Sequence, residues 1–279
     1  MNITNLHTLI TLSRPRFWLY ICGPFLIGLA ASGQPLLEIF NFKNILYILF
    51  FLFPFNFLLY GVNDFFDHKT DALNPKKKSH EHLLQTHEKN SVLLGIYSSM
   101  LVCCVLFFLI QDGNAQGWFL LLCFLSIFYS APPFRFKARA FFDAYSNILY
   151  AIPGFMAFGL MTHQVPPLLV VIAAGCWTAA LHTFSAIPDI SVDRKAGIET
   201  TAVFLGHKAA LVFVGINWLT SAVLFSLVLG PVGLVFFVYP LFVAQLLPQP
   251  QAAVETLYWK LPLVNSLLGF AGFWYLVLR

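Results

Sequence analysis

The chain has 279 residues, of which 59% are hydrophobic and only 10% charged, with a formal net charge of +4. A soluble domain carries about 25% charged residues, so this composition excludes an ordinary soluble protein and indicates an integral membrane protein in contact with lipid. The modest net charge gives no reason to expect a nucleic-acid partner. At this length we expect one domain, residues 1–279, formed by a single helical bundle.

Nine segments are apolar enough to be predicted as transmembrane helices, because a helix needs about 20 apolar residues to cross the hydrocarbon core. The predicted fold class is therefore an all-α membrane bundle of nine spans. In chain order, the segments are Phe17–Ser32, Asn44–Val62, Val92–Ile110, Gly117–Ser130, Phe142–Met161, Pro167–Ile187, Ala209–Leu229, Val232–Leu247 and Leu261–Leu278. The fourth and eighth are short, and a bend at Gly230-Pro231 could join the seventh and eighth into one helix.

Basic residues are distributed unequally between the segments that connect these spans. With nine spans, only Lys43 and Arg279 fall on one side, and the remaining Lys and Arg of the connections fall on the other. Cytoplasmic loops carry an excess of Lys and Arg. The pattern therefore predicts a multi-pass protein of the cell (inner) membrane whose N-terminus and long loops are cytoplasmic.

Two acidic runs lie at the predicted cytoplasmic ends of the second and sixth spans. The first run contains Asn63, Asp64, Asp67 and Asp71, and the second contains Asp189 and Asp193. Spacings of three or four residues place each set on one helix face, where like charges repel unless a cation lies between them. Mg²⁺ prefers oxygen ligands and is typically held by carboxylates plus substrate phosphates. We predict that all six residues bind Mg²⁺ and that the five aspartates are catalytic.

Basic side chains on the same predicted face would neutralise a diphosphate held by these ions. Arginine can bind phosphate oxygens through two parallel hydrogen bonds, and Arg135 and Lys137 follow a turn that prolines stiffen. Topology alone would also account for these charges as orientation signals. The predicted diphosphate-binding residues are Arg16, Lys69, Arg135, Lys137 and Arg194.

The motifs resemble those of the UbiA superfamily of intramembrane prenyltransferases. Asn63–Asp71 is similar to its N-D-x-x-D-x-x-x-D signature, and Asp189–Asp193 is similar to its second motif, D-x-x-x-D. The stretches Arg14–Trp18, Tyr129–Pro133 and Ala196–Gly206 also match its pattern. The resemblance implies nine helices around a central cavity, a cytosolic cap and Mg²⁺-dependent transfer from an isoprenyl diphosphate.

The segments Phe142–Gly154 and His182–Asp189 look most like the lycopene elongase branch of carotenoid prenyltransferases. This resemblance implies dimethylallyl diphosphate as the donor and lycopene or a related carotenoid as the acceptor. The chain departs from the family pattern at Ser191-Val192 and at Ser185, where many relatives carry tyrosine. An aromatic or tetrapyrrole acceptor is the alternative within the enzyme class, and a transporter is the alternative outside it.

For each of two polar residues in or near the predicted spans, the sequence allows two roles. His182 lies in the sixth span, where it either contacts the acceptor or is a hydrogen-bonded packing residue. Asp143 opens the fifth span, where it either favours the positive N-terminus of that helix or contacts the basic turn before it.

Overall fold

The computed structural model describes residues 6–71, 82–249 and 251–279, with side chains for all of these except 6–7 and 69–71. The α-helices are, in chain order, α1 (Leu6–Leu12), α2 (Trp18–Ala30), α3 (Leu36–Ile39), α4 (Phe42–Leu52), α5 (Pro54–Asp71), α6 (Lys89–Leu109), α7 (Gly113–Phe128), α8 (Phe142–Tyr145), α9 (Ile152–Thr162), α10 (Leu168–Ala186), α11 (Ile190–Lys195), α12 (Thr201–Leu205), α13 (His207–Leu229), α14 (Val238–Leu246), α15 (Gln251–Tyr258) and α16 (Leu261–Leu278). Short 3₁₀ helices cover Pro15–Phe17, Thr86–Glu88, Phe136–Ala138, Ser146–Tyr150, Ile187–Asp189 and Gly230–Phe237. Across these described ranges there is no strand, which confirms the all-α prediction.

Within the described residues, five helical stretches are long and apolar enough to cross a membrane, so the chain is an integral multi-pass membrane protein. These stretches are Phe42–His68, Thr86–Leu109, Leu168–Lys195, His207–Leu246 and Leu261–Leu278, and Phe142–Tyr150 with Ile152–Thr162 could form a sixth, broken span. All nine predicted segments contain helix, but Pro15–Ala30 and Gly113–Phe128 are shorter than a full span. The predicted count of nine spans is therefore not confirmed.

The helical stretch His207–Leu246 contains the seventh and eighth predicted segments as two helices packed side by side, because Gly233 meets the backbone of Phe225 and the Phe225 and Phe236 rings stack 4.4 Å apart. The α-helical part ends at Leu229 because Gly230 takes a positive φ of 62° and the following proline has no N–H to donate. The chain therefore turns back at Gly230, and the 3₁₀ helix Gly230–Phe237 and α14 return along α13.

The chain divides into two compact units, and the first contains Met1–Phe134, Ile152–Val165 and Asn265–Arg279. In this unit, Pro54 separates α4 from α5. Asn56 restores the hydrogen bonding at the break, because its Nδ2 donates to the carbonyl oxygens of Phe51 at 2.5 Å and Leu52 at 3.2 Å. The ring of Phe57 lies against Gly95 of α6, where a larger residue would collide with it. These contacts fix the direction of the helix that carries the first acidic run.

The second unit contains Arg135–Ala151 and Pro166–Val264. Its core lies between α10 and α13, where the buried Trp218 ring packs 5.4 Å from Phe184 and 5.2 Å from Tyr239. Aromatic pairs at such centroid separations contribute about 0.5–1.5 kcal/mol beyond the area that they bury. This packing holds α10, the helix that leads into the second acidic run.

In the first unit, α2 and α9 approach each other through two glycines. A Cβ at Gly28 would overlap the carbonyl oxygen of Gly154, and a Cβ at Gly154 would lie 2.7 Å from the carbonyl oxygen of Pro24. Small residues permit such close backbone contact between membrane helices, where van der Waals packing is the main source of association.

We expect Gly28→Ala to destabilise the protein by about 1–3 kcal/mol, the usual cost of forcing extra atoms into a packed contact. Thermal unfolding of the full chain in detergent would measure the loss. Gly23→Ala is the matched control, because a Cβ at this position of the same helix has open space around it. Equal stability of the two variants would contradict the close contact.

Candidate active site

The first acidic run occupies the last turns of α5 in the first unit. Asp64 is 4% exposed and Asp67 is fully buried. Asn63 donates a 2.9 Å hydrogen bond from Nδ2 to the Oγ of Ser130, so its carbonyl oxygen is the atom that could bind a cation. A buried carboxylate is costly unless cations or hydrogen-bond donors compensate its charge. The run therefore offers oxygen donors of the kind that Mg²⁺ prefers.

Arg14 forms an ion pair with Asp64 that the sequence analysis did not predict. Its guanidinium lies 2.6 Å from Asp64 Oδ1, and the two side chains are 13% and 6% exposed. The same guanidinium lies over the Tyr60 ring, 4.6 Å from its centre. Arg14 takes a left-handed φ of 53°, which ends α1 before the 3₁₀ helix Pro15–Phe17. The sequence shows an arginine before Pro15, but it does not identify the partner, Asp64, which lies 50 residues away.

Arg16, a predicted diphosphate ligand, lies beside the same ion pair. A cleft of about 170 Å³ is lined by Thr11, Leu12, Arg14, Pro15, Arg16, Asp64 and His82. The Arg16 side chain is exposed and its guanidinium lies 4.7 Å from the centre of the Phe17 ring. The structure thus places Arg16 and Asp64 around one cleft within the first unit.

The second acidic run begins where α10 ends, in the second unit. The 3₁₀ helix Ile187–Asp189 and then α11 continue the direction of α10 without a loop. Asp189 and Asp193 are both half-buried. Gln251 anchors this transition by donating a 2.5 Å hydrogen bond to the carbonyl oxygen of Ile187. The helical continuity places the two carboxylates one turn apart, as the four-residue spacing predicts.

The predicted basic residues of the second unit lie on short helical turns. Arg194 is exposed on α11, and its Nη2 lies 3.4 Å from the carbonyl oxygen of Val203. Arg135 has a left-handed φ of 43° and precedes the 3₁₀ helix that contains Lys137. Both of these side chains are half-buried. The role of Arg135, Lys137 and Arg194 as diphosphate ligands stays a prediction.

Asp143 and His182 meet in the second unit. Asp143 is fully buried, and its Oδ2 lies 3.4 Å from Nε2 of His182, whose side chain is 19% exposed. The backbone N–H of Thr201 donates to both carboxylate oxygens at 3.0 Å, and the Thr201 hydroxyl also donates to Oδ1. Asp143 therefore binds the first turn of α12, a contact that its sequence neighbours could not reveal because Thr201 is 58 residues away.

The six predicted metal ligands are divided between the two units, four on α5 in the first and two at the end of α10 and on α11 in the second. Among the described side chains there is no group of three or more His, Cys, Asp or Glu that could hold a metal ion. The side chains of Asp71 and Lys69 lie outside the described residues. That the two acidic runs bind a common substrate therefore stays a prediction.

Comparison with known proteins adds an independent line of evidence. A model of the UbiA prenyltransferase family matches residues 21–276. A lycopene elongase/hydratase from Haloferax volcanii is 39% identical over 261 residues, covering 94% of this chain and 85% of that protein. A lycopene elongase/hydratase from Halobacterium salinarum is 40% identical over 273 residues, covering 95% and 97% of the two chains.

A similar fold has been solved experimentally. The structure of a UbiA homolog from Archaeoglobus fulgidus bound to GPP and Mg²⁺ matches with a TM-score of 0.73 and 22% identity, over 95% of this chain and 99% of that one. The same homolog bound to DMAPP and Mg²⁺ matches with a TM-score of 0.72. This likeness confirms the helical fold that the motifs implied.

We expect Arg14→Gln to destabilise the protein by about 3 kcal/mol, because it leaves the buried Asp64 carboxylate without its cation. The double variant Arg14→Gln/Asp64→Asn should recover part of that loss, since the charge that Arg14 compensates is then removed as well. Thermal unfolding of the two variants and the single Asp64→Asn variant in metal-free detergent would measure the coupling. Additive effects would show that the pair contributes nothing to stability.

Proposed function

This chain belongs to the UbiA prenyltransferase family, and we propose that it transfers a dimethylallyl group from its diphosphate to lycopene or a related carotenoid. The observation that carries this proposal is the similarity to two proteins named lycopene elongase/hydratase, at 39% and 40% identity over at least 94% of this chain. Family membership makes the chain a prenyltransferase. The choice of donor and acceptor is our proposal.

The donor atoms of the two acidic runs fit Mg²⁺. Every proposed ligand offers an oxygen atom, the donor type that Mg²⁺ prefers, and the described aspartates are buried or half-buried. The proposed ligands are Asn63, Asp64, Asp67, Asp71, Asp189 and Asp193. When bound, Mg²⁺ supplies positive charge that stabilises the diphosphate as a leaving group. The Archaeoglobus fulgidus homolog, solved with DMAPP and Mg²⁺, supports this assignment.

The basic side chains would position and neutralise the diphosphate in this proposal. Arginine makes paired hydrogen bonds to phosphate oxygens, whereas lysine acts as a point charge. The proposed ligands are Arg16, Lys69, Arg135, Lys137 and Arg194. Arg14, which pairs with Asp64, would balance the charge of the first run in the absence of substrate.

The apolar composition of the chain suits a reaction that passes through a carbocation after the diphosphate leaves. The bond between the allylic carbon and oxygen breaks, its electron pair leaves with the diphosphate, and a five-carbon cation remains. A π pair of the carotenoid then forms the new carbon–carbon bond, which moves the positive charge to the acceptor. An alkene needs no base to activate it for this attack. The surrounding aromatic residues would stabilise the cation through their ring faces.

We also propose nine membrane crossings around a central cavity, with the N-terminus and the polar cap on the cytoplasmic side of the inner membrane. The excess of Lys and Arg on the side of the acidic runs supports this orientation. The shorter helices Pro15–Ala30 and Gly113–Phe128 would be two of these crossings, in addition to the longer apolar stretches.

We expect Asp67→Asn and Asp193→Asn each to reduce prenyl transfer by about 100-fold or more, the scale on which a single electrostatic stabiliser acts. Membranes containing the full chain would be supplied with Mg²⁺, radiolabelled dimethylallyl diphosphate and lycopene, and the labelled lipid product would be counted. Asp112→Asn is the matched control. Asp112 caps α7 by accepting from the N–H of Ala115 at 2.8 Å, and asparagine is an equally good N-cap. Full activity of either site variant would remove that residue from the metal site.

The acceptor is tested by competition between acceptor classes. We expect product mass to increase by one or two five-carbon units on lycopene, with no transfer to 4-hydroxybenzoate or to a chlorophyll precursor. Mass spectrometry of the extracted lipids identifies which acceptor has been prenylated. Transfer to an aromatic or tetrapyrrole acceptor in place of lycopene would overturn the carotenoid proposal and leave the prenyltransferase activity in place.

A further inference from the structure

Prenyl transfer to an alkene leaves a positive charge on the acceptor, and this charge must be neutralised before the product is released. Two outcomes balance the charge: a neighbouring carbon loses a proton, or water adds to the cation and then loses a proton. Addition of water is favoured by a base that takes up the proton of the water, whereas loss of a proton from carbon can deliver it to the released diphosphate. The aspartates proposed to bind Mg²⁺ are unsuitable, because a carboxylate that coordinates a cation is a weak proton acceptor.

The contact between Asp143 and His182 has the geometry of a base held by a carboxylate. Asp143 is fully buried and lies 3.4 Å from Nε2 of His182. A carboxylate accepts hydrogen bonds and cannot donate them, so the proton of a neutral ring is assigned to Nε2. Nδ1 then carries the lone pair and is the basic atom. A carboxylate partner also stabilises the imidazolium that forms when Nδ1 takes up a proton.

Asp143 is held rigidly enough to orient the ring. Its two oxygens accept from the N–H of Thr201 at 3.0 Å, and the Thr201 hydroxyl donates to Oδ1. That hydroxyl in turn accepts a 2.7 Å hydrogen bond from the N–H of Phe141. These donors compensate the buried charge and hold the Asp143 carboxylate, so two separate segments of the second unit, one with Phe141 and Asp143 and one with Thr201, position the group that faces His182.

The position of His182 on its helix suits a base that acts on the acceptor. His182 precedes Asp189 by seven residues, which is two helical turns and therefore the same face. At 1.5 Å per residue, the two residues are about 10 Å apart along the axis. Asp189 lies at the polar end proposed to hold the diphosphate, so His182 lies deeper, where the reacting carbons of a five-carbon donor and its acceptor would meet. Its side chain keeps 19% exposure, which leaves room for a water molecule to approach.

We propose that His182, oriented by Asp143, is the base that directs water onto the carotenoid cation, so that the product is a tertiary alcohol. The water oxygen supplies the electron pair of the new carbon–oxygen bond, and the proton released from that water moves to Nδ1 of His182. The resulting imidazolium later returns the proton to solvent. This inference rests on the proposed carotenoid acceptor, and the word hydratase in the names of the relatives agrees with it.

The test is the composition of the product, because a packing role for His182 would not alter it. Purified full-length protein in lipid nanodiscs would be given Mg²⁺, dimethylallyl diphosphate and lycopene in ¹⁸O-labelled water. Mass spectrometry would separate the ¹⁸O alcohol from the alkene that forms by proton loss. His182→Gln keeps a donor towards Asp143 but cannot take up a proton at neutral pH. We expect the ratio of alcohol to alkene to fall about tenfold or more, while total prenylated product falls much less.

Two further variants complete the experiment. Asp143→Asn should shift the ratio in the same direction, because Asp143 acts as a positioning residue through the ring of His182. His207→Gln is the matched control, since it makes the same substitution in the same unit at the start of α13, and its ratio should equal that of the wild type. An unchanged ratio in His182→Gln, with prenylated product present, would overturn this inference alone. If the wild type forms no prenylated carotenoid, the proposed function fails and this inference fails with it.

Discussion

The cost of placing a carboxylate at the end of an apolar helix is the constraint on which the rest of this structure depends. Two buried carboxylates have their charge compensated from a distant part of the sequence. Asp64 pairs with a guanidinium on the segment before α2, and Asp143 accepts donors from the start of α12. An uncompensated charge would cost several kcal/mol in such surroundings. The polar contacts at the helix ends thus select the arrangement of helices within each unit.

The same constraint explains why the acidic runs sit on helices rather than on loops. α5 and α10 each extend their apolar part directly into an acidic run, and α10 does so through one turn of 3₁₀ helix. Helical continuity holds the carboxylates at fixed spacing while the apolar part is buried among its neighbours. Anchors such as Asn63 on Ser130 and Gln251 on Ile187 keep these ends from fraying. A rigid set of oxygen donors at the boundary of an apolar interior suits a metal–diphosphate substrate.

Packing inside the apolar parts follows from the absence of a hydrophobic driving force between membrane helices. Helices associate instead through close backbone contact, as where Gly28 meets Gly154. Elsewhere they associate through aromatic packing, as around Trp218. Helix breaks are repaired locally, since Asn56 provides donors for the carbonyls that Pro54 leaves unpaired. Away from the two acidic runs, the buried Asp143 and the nearby His182 are therefore candidates for chemistry.

The sequence by itself determined the all-α class, the helical spacing of the two acidic runs and the family, because composition, short-range periodicity and motifs are local properties. The tertiary structure alone decided which charges meet. The sequence places Arg14 only among the basic residues of one side and in a stretch that matches the family pattern, whereas the structure pairs it with Asp64 across 50 residues. Likewise, Asp143 binds Thr201 across 58 residues. The tertiary structure also decided that the chain reverses at Gly230, so that α14 packs against α13. Such outcomes depend on the competition between burial, hydrogen bonding and charge among distant segments, and no local pattern in the sequence records which partner prevails.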